Sequence, residues 1–423
     1  MQKRIIHYLV LAAVLLGVPL ACAWLGGRRE LLDGLLAFPP RTEDWGLDPA
    51  KLWNMRRPFS WPVFGCLAAF DCALLAPFVW RLVRGGGRHG GRPSSGDTAA
   101  AQEKRSTLNG QRLTFKREDR FPWFGWCGLA LGAGAWVLAW NRFAWFAPLQ
   151  AHTFLPLWLA YILVVNALTV RRSGRCLMTS YPGPYAVLFP VSAAFWWFFE
   201  YLNRYVWNWY YQGVEGMNAG EYAFYATCSF ATVLPAVTAT AEWLGTFRPF
   251  ADGRLCGLAR LDVHRPAGVA GLALTAAAGL TGIVFCPDVT FPLLWISPLA
   301  VFLVIQTLMG APTVLDGLRG GDWRLAVRFA LAALICGGFW EMWNFHSFAK
   351  WVYAVPYVHA FRIFEMPVVG FAGYLPFGLE CAAVAAWVWP ALAESESLGR
   401  DGSPNRPRTP RGGVPTVFGQ RDF

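Results

Sequence analysis

The sequence predicts an all-α, polytopic membrane protein, a bundle of about ten transmembrane helices. Of its 423 residues, 55% are hydrophobic and only 15% are charged, with a mean hydropathy of +0.35, whereas roughly a quarter of the residues are charged in ordinary soluble domains. Apolar runs of about 20 residues, the length that crosses a bilayer as a helix, recur along the chain. The net charge of +11 comes largely from basic residues between these runs. That pattern is typical of membrane loops and argues against a nucleic-acid partner.

The first two apolar runs, 5–25 and 61–80, form an N-terminal pair within residues 1–84. Lys3 and Arg4 precede the first run, which ends in small residues, so a cleaved signal peptide and a retained helix both fit. The other runs form two groups, which we assign to residues 121–250 and 251–390. They lie at 121–141, 153–170, 184–204, 221–244, 266–286, 291–309, 325–344 and 368–390.

Two polar segments lie outside the apolar runs: the loop 85–120 and the tail 391–423. Both are too rich in Gly, Pro and Arg to bury a core, so we expect them to be disordered. The stretch 81–120 holds ten Lys or Arg residues, and the loops after the fourth and sixth runs are basic as well. The positive-inside rule then predicts that both termini lie in the cytoplasm. The loop 26–60 departs from this rule, because it would place six basic residues outside.

A short motif occurs twice, as WFFEYLN at 197–203 and GFWEMWN at 338–344. Each copy places a Glu inside an apolar helix, where ionisable side chains are costly and usually functional. Glu200 and Asn203, like Glu341 and Asn344, are three residues apart and share one helix face. We expect each Asn to donate a hydrogen bond to its Glu. These side chains can equally join helices by hydrogen bonds without any further role.

Other pairs of similar segments extend this repeat. The matches are TFLPLW at 153 with TFPLLW at 290, WYY at 209 with WVY at 351, Glu221 with Glu365, and Leu-Pro at 234 with Leu-Pro at 375. Offsets run from 137 to 144 residues. The pattern predicts two four-helix copies of the same orientation, related by an axis along the membrane normal. Chance similarity among abundant aromatic residues is the alternative.

The segment 346–365 is too polar to span the membrane and too apolar for an ordinary loop. We expect an interfacial or re-entrant piece over the outer end of the bundle, opposite an aromatic counterpart at 204–220. Together they can roof a pocket above the two Glu-Asn pairs. An aromatic belt explains the rings alone but not the charged groups of 346–365.

Further along, Glu380 lies in the middle of the last run, four residues after Pro376, which is expected to free a backbone carbonyl. Asp71 lies in the second run, and both acids are expected to face protein. Pro190 and Pro298 are expected to kink their helices. We assign candidate catalytic roles to Glu341, Glu200, Glu380 and Glu365, and candidate substrate-binding roles to Asn344, Asn203, His346, Lys350, Trp351, Tyr353, His359, Arg362 and Trp340.

The sequence lacks the motifs of several common enzyme classes. The chain has no P-loop, no H-E-x-x-H and no nucleophile elbow, and its ten cysteines are scattered without a C-x-x-C. The sequence therefore predicts no cofactor and no metal, although His152, His346 and His359 lie on one predicted side and leave a metal open.

The run FWEMWN, KWVY and IFEMP followed by GYLPF and Glu380 resembles a family of uncharacterised bacterial polytopic membrane proteins. This resemblance covers about the last sixth of the chain. It implies a location in the bacterial inner membrane, and it implies no activity. At the level of class, the chain is also similar to membrane carotenoid cyclases and hydratases, which place acids among aromatic residues in the membrane. Their acidic signature pairs do not occur here.

Three functions fit these observations. The first is a lipid-phase enzyme that acts on an isoprenoid-like or lipid-linked substrate, with Glu341 or Glu200 as general acid or base. The second is a transporter with a ligand site at the repeat interface. The third is a scaffold that binds a lipid or another subunit. The first is favoured, because the polar residues gather near one face and mark no path through the bilayer.

Overall fold

The computed structural model describes residues 2–35, 57–83 and 120–389. In this part of the chain the predicted fold class is confirmed, because the protein is an all-α bundle of apolar helices. The predicted tail 391–423 and the predicted loop 85–120, apart from its last residue, lie outside the described residues.

Helices occupy all ten predicted runs, and one run forms two helices. They are α1 (Gln2–Leu25), α2 (Trp61–Val83), α3 (Trp123–Trp140), α4 (Phe154–Ser173), α5 (Pro182–Val206), α6 (Ala219–Phe230), α7 (Val233–Gly245), α8 (Pro266–Phe285), α9 (Ser297–Leu308), α10 (Arg324–Phe345) and α11 (Tyr374–Val388).

Short elements connect these helices. The α-helical turns are Arg29–Gly34, Leu177–Ser180, Arg248–Ala251 and Pro287–Thr290, and the 3-10 turns are Ala144–His152, Gly253–Leu255, Phe291–Trp295, Asp316–Gly320 and Val368–Gly373. Four short strands complete the described chain: β1 (Trp209–Gln212), β2 (Lys350–Tyr353), β3 (Arg362–Ile363) and β4 (Met366–Pro367).

Eight helical segments of the described chain are long and apolar enough to cross a membrane. The predicted run 291–309 is a ninth candidate, but it is broken by a 49° bend between Pro287–Trp295 and Ser297–Leu308. Pro298 is the second residue of α9, directly after the bend. A proline is well tolerated in the first turn of a helix but cannot continue one, so the predicted kink is here a complete break.

The predicted run 221–244 is confirmed as one candidate span, Ala219–Gly245, although a two-residue turn separates α6 from α7 within it. Asn218 and Glu221 form a capping box at the start of α6, each side chain accepting a hydrogen bond from the other's backbone N–H at 3.0 Å. Glu221 therefore serves as a helix cap, while Glu365, its predicted counterpart, lies in an ion pair. Their shared position in the predicted repeat does not give them a shared role.

The centre of the bundle is formed by α7 and α10, which pack against each other and against α11, while α4 and α5 pack against α7. Helix α11 approaches α10 closely at Gly378, where a Cβ atom would collide with the carbonyl oxygen of Phe329. At the periphery, α2 buries none of its side chains. Its exposed apolar surface, including Trp61 and Phe70, is what a lipid-facing helix presents.

One end of the bundle is covered by an antiparallel ribbon of β1 and β2. Trp209 pairs with Tyr353, Tyr210 with Val352 and Tyr211 with Trp351. Helices α5 and α10 both end at this ribbon, three and five residues before its strands. We call this end of the molecule the ribbon face.

Candidate functional site

Both carboxylates of the repeated motif lie beneath the ribbon, in the last turns of α5 and α10. Glu341 is 0% exposed and Glu200 is 4% exposed. A buried carboxyl group needs hydrogen bonds to offset the loss of water, because leaving it without partners costs several kcal/mol (~2–7). The donors that meet this need come chiefly from the strands of the ribbon.

Glu341 receives three hydrogen bonds on a single oxygen. The Tyr353 hydroxyl donates to Oε1 at 2.6 Å, the Tyr374 hydroxyl at 2.9 Å and the Trp351 indole N–H at 3.4 Å. The other oxygen, Oε2, is buried and has no hydrogen-bond partner. One carboxyl oxygen is thus saturated while the second retains its accepting capacity.

Glu200 is bound in a closely similar way. Its Oε1 accepts hydrogen bonds from the Tyr211 hydroxyl at 2.6 Å and from the indole N–H groups of Trp209 and Trp196 at 3.0 Å. In both sites a strand supplies a Trp and a Tyr two residues apart. The third donor differs, because Trp196 belongs to the same helix as Glu200 whereas Tyr374 comes from α11.

The expected hydrogen bonds from Asn to Glu are wrong. Asn344 instead donates to the carbonyl oxygen of Trp351 at 2.7 Å and accepts from its N–H at 2.8 Å. Asn203 makes the same pair of contacts with Trp209, at 2.6 and 3.3 Å. A side-chain amide has a donor and an acceptor side by side, so it satisfies both backbone groups of one strand residue. The Asn residues therefore fasten the strands, and the strands supply the donors to the carboxylates.

Side-chain alternation explains how the ribbon reaches both carboxylates at once. In a strand, residues two apart point to the same face, so Trp209 and Tyr211 project together towards α5. Trp351 and Tyr353 project likewise towards α10. The alternate residues of the strands, Tyr210 and Val352, form a separate small apolar cluster with Ala354, the residue that follows β2.

Aromatic rings fill the space between the two sites. The Trp340 ring centroid lies 5.9 Å from that of Tyr374, 6.4 Å from that of Trp196 and 4.9 Å from that of Trp158. Trp340 is 4% exposed and so lies inside the bundle, between a donor to Glu341 and a donor to Glu200. Its assigned substrate-binding role stays a prediction.

Gly337 makes room for the Tyr374 ring. A Cβ atom at Gly337 would collide with the edge of this ring, whose hydroxyl donates to Glu341. The glycine of α10 thus permits the contact between α11 and the carboxylate four residues further on.

The charged residues of the segment 346–365 form a separate group. Glu365 accepts a hydrogen bond from the Lys350 ammonium at 2.6 Å, and Arg362 lies 3.8 Å from its other oxygen. The His346 ring contacts Trp140 at 5.0 Å, and the His359 ring contacts Phe59 at 6.1 Å. The structure therefore unites Glu365, Lys350 and Arg362, and it places the two histidines against aromatic rings elsewhere.

Glu380, a residue of α11, lies apart from both sites and contacts the first turn of α9. It is 0% exposed, its Oε1 accepts a hydrogen bond from the Leu299 N–H at 3.0 Å, and its Oε2 is buried without a partner. The expectation that Pro376 frees a carbonyl group is wrong. Pro376 is the third residue of α11, and N–H groups of a first turn have no intrahelical partner to lose.

Outside the membrane-spanning segments, the pKa values of both tyrosines that the ribbon directs at the carboxylates, Tyr211 and Tyr353, are raised, and that of His359 is lowered. Burial raises the pKa of the Tyr353 phenol well above its ordinary value, so this hydroxyl stays protonated and acts as a donor to Glu341. Burial, and then the nearby Arg362, lower the pKa of His359. This imidazole is accordingly neutral at pH 7.

No group of three or more potential metal ligands occurs among the described residues. His152 stacks on Tyr225 with ring centroids 3.7 Å apart, so the three histidines of the predicted side each contact a different ring. All ten cysteines are free thiols. Two shallow cavities of the described chain, beside Arg172 and beside His152, are not lined by Glu200 or Glu341.

Comparison of the chain with protein-family models, with curated proteins and with solved structures found no match. The site is therefore interpreted from its own chemistry. Sequence reasoning did not assign Trp196, Trp209, Tyr211 or Tyr374 to the carboxylates. The repeated spacing of Trp and Tyr in WYY and WVY was the available signal for two of them.

Proposed function

We propose that this integral membrane protein is a lipid-phase enzyme, with Glu341 as general acid or base, acting on an isoprenoid-like or lipid-linked substrate. One observation carries the proposal: the fully buried Glu341 has one oxygen held by three donors and the other without a partner. A carboxyl group oriented in this way can take or give a proton at Oε2.

The surroundings of Glu341 suit an apolar substrate. The nearest groups are aromatic, and the faces of Trp340 and Tyr374 can stabilise a positive charge that develops on a hydrocarbon. Tyr353 and Tyr374 act as positioning residues, because their hydroxyls bind the carboxylate and leave Oε2 available.

Access of a substrate to Glu341 requires movement of the segment that covers it, which contains β2. Because the carboxyl group is 0% exposed, a substrate reaches it only when the segment that contains β2 separates from α10 and α11. This movement breaks the hydrogen bonds of Asn344 with Trp351 and those that Trp351 and Tyr353 donate to Glu341. They form again when the segment closes over the bound substrate, so Tyr353 holds the carboxylate during the reaction.

The proposal includes a duplication of the four-helix unit. Trp209 and Tyr211 correspond to Trp351 and Tyr353 at an offset of 142 residues, and each Trp pairs with the Tyr of the other copy. A two-fold axis through the pair of Tyr210 and Val352 would produce this register. We therefore take Glu200 and Glu341 as equivalent positions, with the membrane normal as the axis.

A specific feature favours transport as a second candidate function. The broken span before α9 resembles the discontinuous helices that bind substrates and ions in transporters. Glu380 lies at this break with one unpartnered oxygen. In this alternative, Glu380 rather than Glu341 is the essential acid.

Lipid analysis distinguishes the two functions. We expect a bacterial strain that lacks the protein to accumulate one membrane lipid and to lose another, relative to its parent and to a strain with the gene restored. An unchanged set of lipids would contradict the enzyme and favour transport.

A further inference from the structure

The opposite end of the bundle holds a basic cavity that the proposed enzyme does not use. It lies where α4 and α7 end, at about 390 Å³, a volume within the range of roughly 300–1,000 Å³ that is typical of small-molecule sites. Its lining residues are Leu168, Arg171, Arg172, Trp243 and Phe247. None of these five side chains is acidic.

The polar groups of this cavity are all hydrogen-bond donors. Arg172 is held in place, because its Nε donates to the Thr246 hydroxyl at 2.7 Å and its guanidinium carbon lies 3.8 Å from the centroid of the Phe247 ring. Its Nη2 donates weakly to the Thr246 carbonyl oxygen at 3.3 Å, which leaves Nη1 for a ligand. Arg171, its neighbour, is exposed.

Trp243 adds a third donor. Its indole N–H is buried and has no hydrogen-bond partner, which is costly unless a ligand supplies an acceptor. Arg171, Arg172 and Trp243 therefore line a space that has no acidic side chain in its wall. Such a set selects an anion with several acceptor oxygens, and guanidinium groups bind phosphate particularly well.

The apolar part of the lining indicates where the phosphate comes from. Leu168 lies on α4 one turn before Arg172, and the Trp243 ring lies beside Phe247, with centroids 5.0 Å apart. A free phosphate ion has no apolar part that could contact these side chains, whereas a membrane lipid places an acyl chain directly next to its headgroup. Basic pockets between transmembrane helices are known binding sites for anionic headgroups.

We propose that this cavity binds the phosphate group of an anionic membrane phospholipid. Arg171, Arg172 and the Trp243 indole N–H hold the headgroup, and Leu168 contacts the first part of the acyl chain. The site belongs to the end of the bundle opposite the ribbon face, so it acts independently of Glu341.

Native mass spectrometry of the full-length protein in detergent tests this site. The probes are short-chain phosphatidylglycerol, short-chain phosphatidylcholine and inorganic phosphate. We expect phosphatidylglycerol to bind in preference to phosphatidylcholine, and Arg171→Gln to weaken its binding about tenfold, the loss expected for one charge-assisted contact. Trp243→Phe keeps an aromatic ring but removes the N–H, so it should also weaken binding.

Arg260→Gln is the matched control, because Arg260 is exposed and does not line the cavity. It removes the same charge and should leave binding unchanged. Equal binding by wild type and Arg171→Gln, or equal losses in Arg171→Gln and Arg260→Gln, would overturn the site. Displacement of phosphatidylglycerol by an equal concentration of inorganic phosphate would overturn the lipid as its source.

Discussion

Glu341 has all three of its hydrogen-bond donors on one oxygen, and two of them are phenols. Removing one donor tests how strongly the carboxyl group depends on the ribbon. Tyr353 is the shortest contact, at 2.6 Å, and its hydroxyl also accepts a hydrogen bond from the Trp351 indole at 2.8 Å. This residue therefore joins two of the three donors.

We expect Tyr353→Phe to lower the free energy of unfolding by about 1.5–3 kcal/mol, because the buried acid loses its shortest donor and the Trp351 indole keeps only its longer, 3.4 Å contact with Glu341. Thermal unfolding of the purified protein in detergent measures the change. Tyr181→Phe is the control, since the Tyr181 side chain is 50% exposed. Equal stability of both variants and the wild type would show that the hydroxyl of Tyr353 is not needed to hold Glu341.

At the scale of elements, the close crossing of α10 and α11 positions Tyr374 against Glu341. This crossing depends on glycines, because Gly378 faces the backbone of Phe329 and Gly337 faces the Tyr374 ring. Two neighbouring glycines of the same helix, Gly337 and Gly338, differ in this respect, since no atom lies within 4 Å of a Cβ built on Gly338.

We expect Gly378→Ala to destabilise the protein by about 3 kcal/mol, because its methyl group meets backbone atoms that cannot move aside as a side chain can. Gly338→Ala is the matched control and should be neutral or more stable by up to about 1 kcal/mol, since alanine is favoured within helices. Unfolding temperatures in detergent measure both. Similar effects of the two substitutions would contradict the close packing of α10 and α11.

The position of the ribbon, like the crossing of α10 and α11, depends on single side chains. Asn344 holds β2 through both backbone groups of Trp351. We expect Asn344→Ala to accelerate hydrogen exchange of the β2 amides about tenfold or more, because two hydrogen bonds of roughly 1 kcal/mol each are lost. Asn141→Ala is the control, since Asn141 is exposed and its side chain donates to the Val137 carbonyl of α3, the helix that it follows. Unchanged exchange in Asn344→Ala would exclude the asparagine as the fastening of the ribbon.

For the whole molecule, hydropathy alone predicted the helices but not the turns and bends that divide them. A helix in a membrane must satisfy its backbone internally, so an apolar run is a sufficient signal. The bend before α9 depends on local backbone geometry that an apolar window averages out. The partners of Glu341 were harder still, because Tyr374 is 33 residues distant and only the packing of α11 brings it close.

The orientation of the molecule in the membrane stays a prediction and can be tested by labelling. We expect the ribbon face to lie outside, because the basic loops at the other end are retained in the cytoplasm. Cysteine introduced at Gly216, which is exposed beside the ribbon, should react with a membrane-impermeant maleimide in intact cells of a strain carrying an otherwise cysteine-free protein.

Cysteine at Arg260, in the loop between α7 and α8, should react only after the cells are lysed. Labelling of Arg260→Cys but not Gly216→Cys in intact cells would reverse the predicted orientation. Labelling at both positions in intact cells would indicate that the impermeant reagent had entered the cells. A protein with a known cytoplasmic thiol controls for this, because it should stay unlabelled until the cells are lysed.

The central claim is that Glu341 is the acid or base of a lipid-phase reaction. The most direct measurement is the lipid composition of cells in which Glu341→Gln replaces the wild-type protein, with equal protein levels in the membrane and an unfolding temperature that confirms folding. We predict the same lipid change as in cells that lack the protein, because the amide keeps the shape of the side chain but cannot exchange a proton. A wild-type lipid composition in the Glu341→Gln strain, alongside an altered one in cells lacking the protein, would contradict the claim.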